Sequence, residues 1–456
     1  MAVRVHTGPR WLPITLPFIA ALFVAILPLR PAAAVDVQRI VSPGGVEAWL
    51  VEDHAVPLLS ISFAFPGGSA TDPDGKAGLA NMVSGLLDEG AGDIDSQAFQ
   101  QKLADLSVEL GFDAARDGFY GTMRALTRNR TEAFDLLRLA ITAPRFDTPA
   151  VERIRGQILA NLAARTNDPR TIAGRTFWKT LLPGHPYANP VDGTPETVRT
   201  LTADDLRTFV AGRLVRDGLR IGVSGDITPA ELSALLDSTF GALPATGSAI
   251  DIAEMMPVAT GGTIVVHQQV PQSTILFGQR GLKRDDPDYY AAYVLNHILG
   301  GGAFSSRLYD EVREKRGLAY SVYSYLHPLD RSALWAGGAA TANARVGESL
   351  AVLRDTWAQM RARPAGVKEL EDAKLNITGS FSLRLTSSRA IARMLVGMQR
   401  ENLGIDYLDK RNGYIEAVTA DDIARVAQRV LDPESLTFVV VGEPEGVEST
   451  IGGERG

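Results

Sequence analysis

The pentapeptide Thr202-Ala203-Asp204-Asp205-Leu206 returns as Thr419-Ala420-Asp421-Asp422-Ile423, and that return constrains the fold more than any other feature of the chain. Each copy reads as a helix start, with threonine as N-cap and a carboxylate three residues on that can reach back to the cap's own N–H. Each is followed by helical periodicity and then by an apolar strand, LRIGVSGDI in the first copy and LTFVVVGEP in the second. Thr419 lies 217 positions beyond Thr202, and Gly442 lies the same 217 beyond Gly225. A shared capping device explains one match but not a constant spacing. The chain therefore reads as two homologous halves, residues 35–244 and 264–456, joined by a Gly-, Ala- and Thr-rich linker at 245–263. Pro244 suits the end of the first half, because proline disfavours helix in the residue before it. Within each half, strands at 58–65 and 273–278 precede helices, and further strands alternate with helices. The fold class this predicts is α+β: two halves, each an antiparallel-rich sheet packed with helices, facing each other across a cleft. The Gly- and Glu-containing tail after Gly442 reads as mobile.

There is no cysteine, which removes disulfides, thiolate metal sites and cysteine nucleophiles and suits an oxidising compartment. Residues 1–34 combine Arg4 and Arg10, an apolar run from Trp11 to Leu29, and Ala32-Ala33-Ala34. That is the layout of a secretory signal cleaved after Ala34, with a retained membrane anchor as the rival. Without those residues the balance is 43 basic against 53 acidic side chains, a net charge of −10. No basic stripe or second spanning segment remains, so neither nucleic acid nor stable membrane insertion is expected, and the location read is periplasmic or otherwise exported.

Chemistry enters at LYDEVREKRGLAYSV, residues 308–322. Arg313 and Tyr320 stand seven residues apart across a helix end, with Gly317 as the left-handed stop and LAYSVYSY alternating as a strand. A guanidinium and a phenol at such a corner can both donate to one oxygen, the equipment for holding an oxyanion. The bland alternative is a surface arginine beside a half-buried sheet tyrosine. Strand alternation puts Tyr323 and Tyr325 on the face away from Tyr320, as packing residues.

The helix read over 76–90 carries Leu79, Met82, Val83, Leu86 and Leu87 on one face and Asn81, Ser84, mid-helix Gly85 and Asp88 on the other. With its preceding strand and the turn at Gly67–Ser69, it resembles the opening of the pitrilysin/insulinase metallopeptidases, two-half members of processing-peptidase type being nearest in size. In that family this helix carries His-x-x-Glu-His, which holds zinc and activates water, and a downstream Glu completes the site. The resemblance puts those four positions on Asn81, Ser84, Gly85 and Asn161, all replaced. Zinc needs about three His, Cys or carboxylate ligands, which Asn, Ser and Gly do not supply. None of the six histidines pairs at helical spacing; His185 and His297 read as structural, His297 as a satisfied imidazole. No metal or other cofactor is therefore expected in this chain.

The family's second element, an Arg and a Tyr seven residues apart that position substrate and stabilise the tetrahedral intermediate, is matched by Arg313 and Tyr320 within SSRLYDEVREKRGLAYSV. The resemblance thus implies a zinc-free subunit. A homologous partner would carry the zinc, and unfolded peptides would be the substrate. Gly300-Gly301-Gly302 lacks the strand before it and the Gly-Lys-Ser/Thr after it that a phosphate cradle needs, and reads as a flexible loop. No Gly-x-Ser-x-Gly elbow is present. The alternative is a non-enzymatic scaffold or peptide-binding protein of the same fold.

Overall fold

A computed structural model describes residues 35–258 and 261–452, of which Asp36 onward forms one compact unit. The signal read at 1–34 lies outside the described residues. Six strands form a first sheet: β1 (Gln38–Val41), β2 (Glu47–Glu52), β3 (Leu58–Pro66), β4 (Glu109–Ala114), β5 (Gly118–Leu126) and β6 (Arg220–Gly225). Five form a second: β7 (Gly262–His267), β8 (Gln272–Arg280), β9 (Ala319–Leu329), β10 (Ser332–Ala342) and β11 (Thr437–Gly442). Their spatial orders are β1-β2-β6-β3-β5-β4 and β7-β11-β8-β10-β9. Apart from the extra edge strand β1, the two are the same sheet. β2 runs parallel to β6 as β7 does to β11, and every other pairing is antiparallel.

The repeated pentapeptides do the same local job twice. Asp205 N–H donates to Thr202 Oγ1 at 3.2 Å while Thr202 N–H donates to the Asp205 carboxylate at 2.8 Å, opening the helix Ala203–Arg213. Asp422 and Thr419 repeat this at 3.1 and 3.0 Å, opening the helix Ala420–Val430. The Thr419 hydroxyl, donating at 2.6 Å, and the Thr419 N–H, with Arg425 alongside, hold the Asp422 carboxyl down to about 2. The strand after each helix lies inside its sheet and is almost wholly buried. Each ends on a glycine with positive φ, Gly225 at +136° and Gly442 at +159°. An added Cβ would stand 2.2 Å from the Leu58 carbonyl in one and 2.2 Å from Ser273 Oγ in the other, so the spacing of 217 is that of two equivalent strand ends.

Each sheet has its own core, around Phe63, Phe65 and Phe240 in the first and Phe277, Trp335 and Trp357 in the second. Between them the two sheets exchange helices. The helix Pro169–Leu181 lies on β8 and β11, burying Phe177 against Gly278, while the helix Ser388–Arg400 lies on β3 and β6. Along this seam the halves are packed rather than parted. Tyr187 joins it by donating to the Asp117 carboxylate and accepting from Arg331 N–H at 3.1 Å. The segment after Pro244 is laced to both sides: Val258 N–H donates to Leu181 O at 2.8 Å and Met255 N–H to Arg331 O at 3.0 Å. The tail read as mobile is tied along β7, with Thr263 N–H on Thr450 Oγ1 at 2.8 Å and Val265 N–H on Ser449 Oγ at 2.9 Å. No helix among the described residues is long and apolar enough to cross a membrane.

Candidate functional site

The Arg313 corner is assembled by a helix that widens before it stops. Ser306 caps the start, residues Arg307–Tyr309 wind as α-helix, and Asp310–Glu314 wind as a π turn. Such single wide turns recur at functional sites. Gly317, at φ +57°, makes the left-handed exit, and Leu318 N–H returns to Val312 O at 2.8 Å. The chain then enters β9, the edge strand of the second sheet.

The two residues read from sequence are brought together here. The Arg313 guanidinium lies 4.6 Å from the Tyr320 ring centre and 4.9 Å from that of Tyr309, a cation held between two phenol faces. Its Nη1 donates to the Tyr320 carbonyl at 3.2 Å, tying helix end to strand start. Tyr320 itself is 82% exposed, and its hydroxyl has no partner among the described residues. In this arrangement the guanidinium rests on the ring rather than beside the hydroxyl. A shared acceptor oxygen would draw Arg313 towards the phenol edge.

The alternation read for β9 is corrected by its register. Ala319 pairs with Thr341 and Val322 with Ala339, so Tyr320 and Ser321 together oppose Ala340. That bulge resets the pleat. Ala319, Val322 and Ser324 are buried, while Tyr320, Tyr323 and Tyr325 all open to solvent. Tyr323 and Tyr325 stack at 6.1 Å and lead on through His327 to Trp178. They are not packing residues; a bulge leaves no sign in hydrophobic alternation.

The sequence offers Tyr309 as an available phenol, but the supporting roles of the residues around the corner come from the structure. Tyr309 forms the second face of the arginine clasp. Asn296 and Ser324, both buried, hold β9 reciprocally: Ser324 Oγ donates to Asn296 Oδ1 at 2.8 Å and Asn296 Nδ2 to Ser324 O at 3.3 Å. Gly300 is a packing residue rather than part of a flexible loop, since an added Cβ would sit 2.4 Å from Ser324 Oγ. His297 opens a second π turn, His297–Gly301. Its buried Nε2 has no partner, so the satisfied imidazole expected there is not found, and burial lowers its pKa. His185 does use both ring nitrogens, accepting from Tyr187 N–H at 3.1 Å and meeting Ala253 O at 2.9 Å.

The helix read over 76–90 is shorter than its apolar stripe. Only Leu79–Ser84 is α-helical, and Gly85 caps its end rather than interrupting it. Leu86 and Leu87 continue the buried stripe through turns. Asp72 starts this helix, accepting from the N–H groups of Gly78, Leu79 and Ala80 at 2.9–3.1 Å; burial nevertheless pushes its carboxyl up to about 7. Ser84 Oγ spends its hydrogen bond on Asn81 O at 2.8 Å, and Asn161 is exposed on the helix Thr148–Arg165. Among the described residues no three His, Cys, Asp or Glu side chains converge where a metal ion could sit.

Residues 200–377 match the family model described as Peptidase M16 inactive domain. The chain is 26% identical to the Helicobacter pylori protein "Non-peptidase homolog YmxG", over 93% of this chain and 98% of that one. It is 28% identical to an "Uncharacterized zinc protease" of Streptomyces coelicolor, over 87% of each. A solved "peptidase M16 inactive domain" from Pseudomonas fluorescens superposes with a TM-score of 0.84 at 27% identity, over 91% of this chain and 99% of that one. Over residues 200–377 the chain is thus similar to the M16 peptidase inactive domain, and over most of its length to M16-type relatives, one of them named a non-peptidase homologue.

Proposed function

We propose that this chain is the zinc-free subunit of an exported heterodimeric zinc metallopeptidase that degrades peptides. In this reading a homologous partner brings the metal, the water and the general base. This chain brings Arg313 and Tyr320 to the scissile carbonyl as its charge develops. The observation that carries it is the corner itself: a cation clasped at a helix end beside an exposed, unpartnered phenol on an edge strand. The chain does not enclose that corner, so a partner must cover it for the pair to work in a dry site. The Asn81, Ser84 and Gly85 positions leave the metal to that partner, and the apolar run at 11–29 supports export.

The test mixes the purified chain with a homologue bearing His-x-x-Glu-His from the same genome and follows a quenched fluorescent peptide. Tyr320→Phe and Arg313→Ala should each lower kcat of the pair by about 100-fold, one oxyanion donor being worth about 3 kcal/mol. Unchanged hydrolysis by both variants defeats the assignment. The second reading, a non-enzymatic scaffold or peptide-binding protein, draws on the open exposure of Tyr320. It predicts that no zinc-bearing homologue becomes more active on mixing.

A further inference from the structure

A second concentration of unusual chemistry lies away from the Arg313 corner. The helices Tyr289–Asn296, Ser388–Arg400 and Tyr407–Glu416, with the turn Phe381–Leu385, surround a hollow of about 470 Å³. That volume is within the range of small-ligand sites, about 300–1,000 Å³. Four arginines line it, Arg284, Arg384, Arg393 and Arg411, against one carboxylate, Glu401. In a chain of net charge −7 this is the reverse of the surrounding balance.

None of the four guanidiniums forms a close ion pair among the described residues, although Glu401 lies within electrostatic reach of Arg284. Arg411 is buried, yet its one hydrogen bond goes to the side-chain oxygen of its neighbour Asn412 at 3.0 Å, and it lies 4.0 Å from the Phe381 ring centre. Arg284 donates to Tyr290 Oη at 3.0 Å and rests 4.3 Å from the Tyr289 ring centre. Arg384 and Arg393 have neither hydrogen bond nor ion pair among the described residues. Arg425 and Arg429, by contrast, converge on Asp286 and Asp288. A buried guanidinium without a counter-charge carries a desolvation cost that an incoming anion relieves.

The walls say what that anion is attached to. Tyr290 stacks on Tyr414 at 4.9 Å, Tyr407 continues the stack, and Met394 and Met398 contribute apolar lining. Flat rings and thioethers suit an apolar or aromatic body. Bare phosphate would leave that apolar lining unfilled, which favours a carboxylate carried on an organic body.

We infer that this hollow is a binding site for a carboxylate monoanion on an apolar body, gripped by Arg393, Arg384 and Arg411 with the body against the tyrosine stack. Two sources present that chemistry: the C-terminal residue of a peptide ending in a large apolar side chain, or a free aryl-alkanoic acid. The site is independent of the role given to Arg313 and needs no partner subunit.

Calorimetric titration of the purified chain at neutral pH separates the outcomes. The probes are a hexapeptide ending in phenylalanine with a free carboxylate, its C-terminal amide, 3-phenylpropanoate and inorganic phosphate. Binding of the free-acid peptide with loss on amidation supports the site and assigns it to peptide ends. Equal or tighter binding of 3-phenylpropanoate supports it and assigns it to free acids. Arg393→Gln, an exposed position that folding tolerates, should weaken whichever binds by about tenfold or more. Arg313→Ala should leave it unchanged, which separates this site from the proposed peptidase role. Failure of both acids to bind, equal binding of the amide, or phosphate binding as tightly as either acid overturns the inference.

Discussion

Gly222 on β6 is where the exchanged helix comes closest, so Gly222→Ala is the sharpest test of the seam. A Cβ there would stand 2.3 Å from the Ala392 carbonyl oxygen, 2.8 Å from Leu395 Cβ and 3.2 Å from Val396 N. These are backbone and Cβ atoms of the helix Ser388–Arg400, and no rotamer relieves them. Relief requires the helix to lift by about 1 Å to reach ordinary van der Waals contact. Overpacking of that kind costs about 1–3 kcal/mol. The same lift stretches the buried bond from Gln399 Nε2 to Ile221 O, now 2.8 Å, beyond useful length. Leaving that pair unsatisfied adds about 1–3 kcal/mol. The expected destabilisation is therefore about 2–6 kcal/mol, a large share of the stability of an ordinary domain. Equilibrium urea unfolding followed by tryptophan fluorescence measures it. Gly174→Ala is the control, because its Cβ meets nothing within 4 Å inside the helix Pro169–Leu181 and should gain up to about 1 kcal/mol. A Gly222→Ala midpoint equal to wild type would refute the close packing of the two halves.

Three further outcomes follow from the same geometry. Phe177→Ala removes the buried ring that sits on Gly278 across the seam and should cost about 3–5 kcal/mol in the same urea assay. Thr419→Ala removes the Oγ that accepts from Asp422 N–H and should cost about 1 kcal/mol, read as a lower unfolding midpoint. For Asp72, the unfolded carboxyl titrates near 3.8 and the folded one near 7. Between those values the folded chain holds a proton that the unfolded chain has released, so this group favours folding in acid. Its contribution fades as pH rises from about 4 to about 7 and is level above. Asp72→Asn should flatten that slope in melting temperatures measured across the window; an unchanged slope would show that Asp72 does not titrate there.

Much of the site was legible because its signals are local. The left-handed exit at Gly317, the two threonine caps and the helix end at Gly85 are properties of single residues or of one helical turn. The seven-residue spacing of Arg313 and Tyr320 also spans one helix end. What escaped is non-local. The bulge that turns Tyr323 and Tyr325 outward is set by the register of β9 on β10, which no single strand encodes. The satisfied state assigned to His297 failed because its surroundings come from a π turn whose extra residue leaves no mark on apolar periodicity.

By itself the sequence determined the doubled α+β plan, because backbone constraints such as a cap, a proline or a glycine at positive φ repeat wherever they are written. It also determined that Asn81, Ser84 and Gly85 stand along the segment 76–90, since residue identities need no fold to be read. Only the tertiary structure decided that each sheet is covered by a helix from the other half and that Arg313 is clasped by Tyr309 as well as Tyr320. It alone gathered Arg284, Arg384, Arg393 and Arg411 around one hollow. The exchanged helices join residues more than a hundred positions apart, such as Phe177 with Gly278 and Gly222 with Ala392, and it is burial of apolar faces, which carries no sequence address, that chooses their partners.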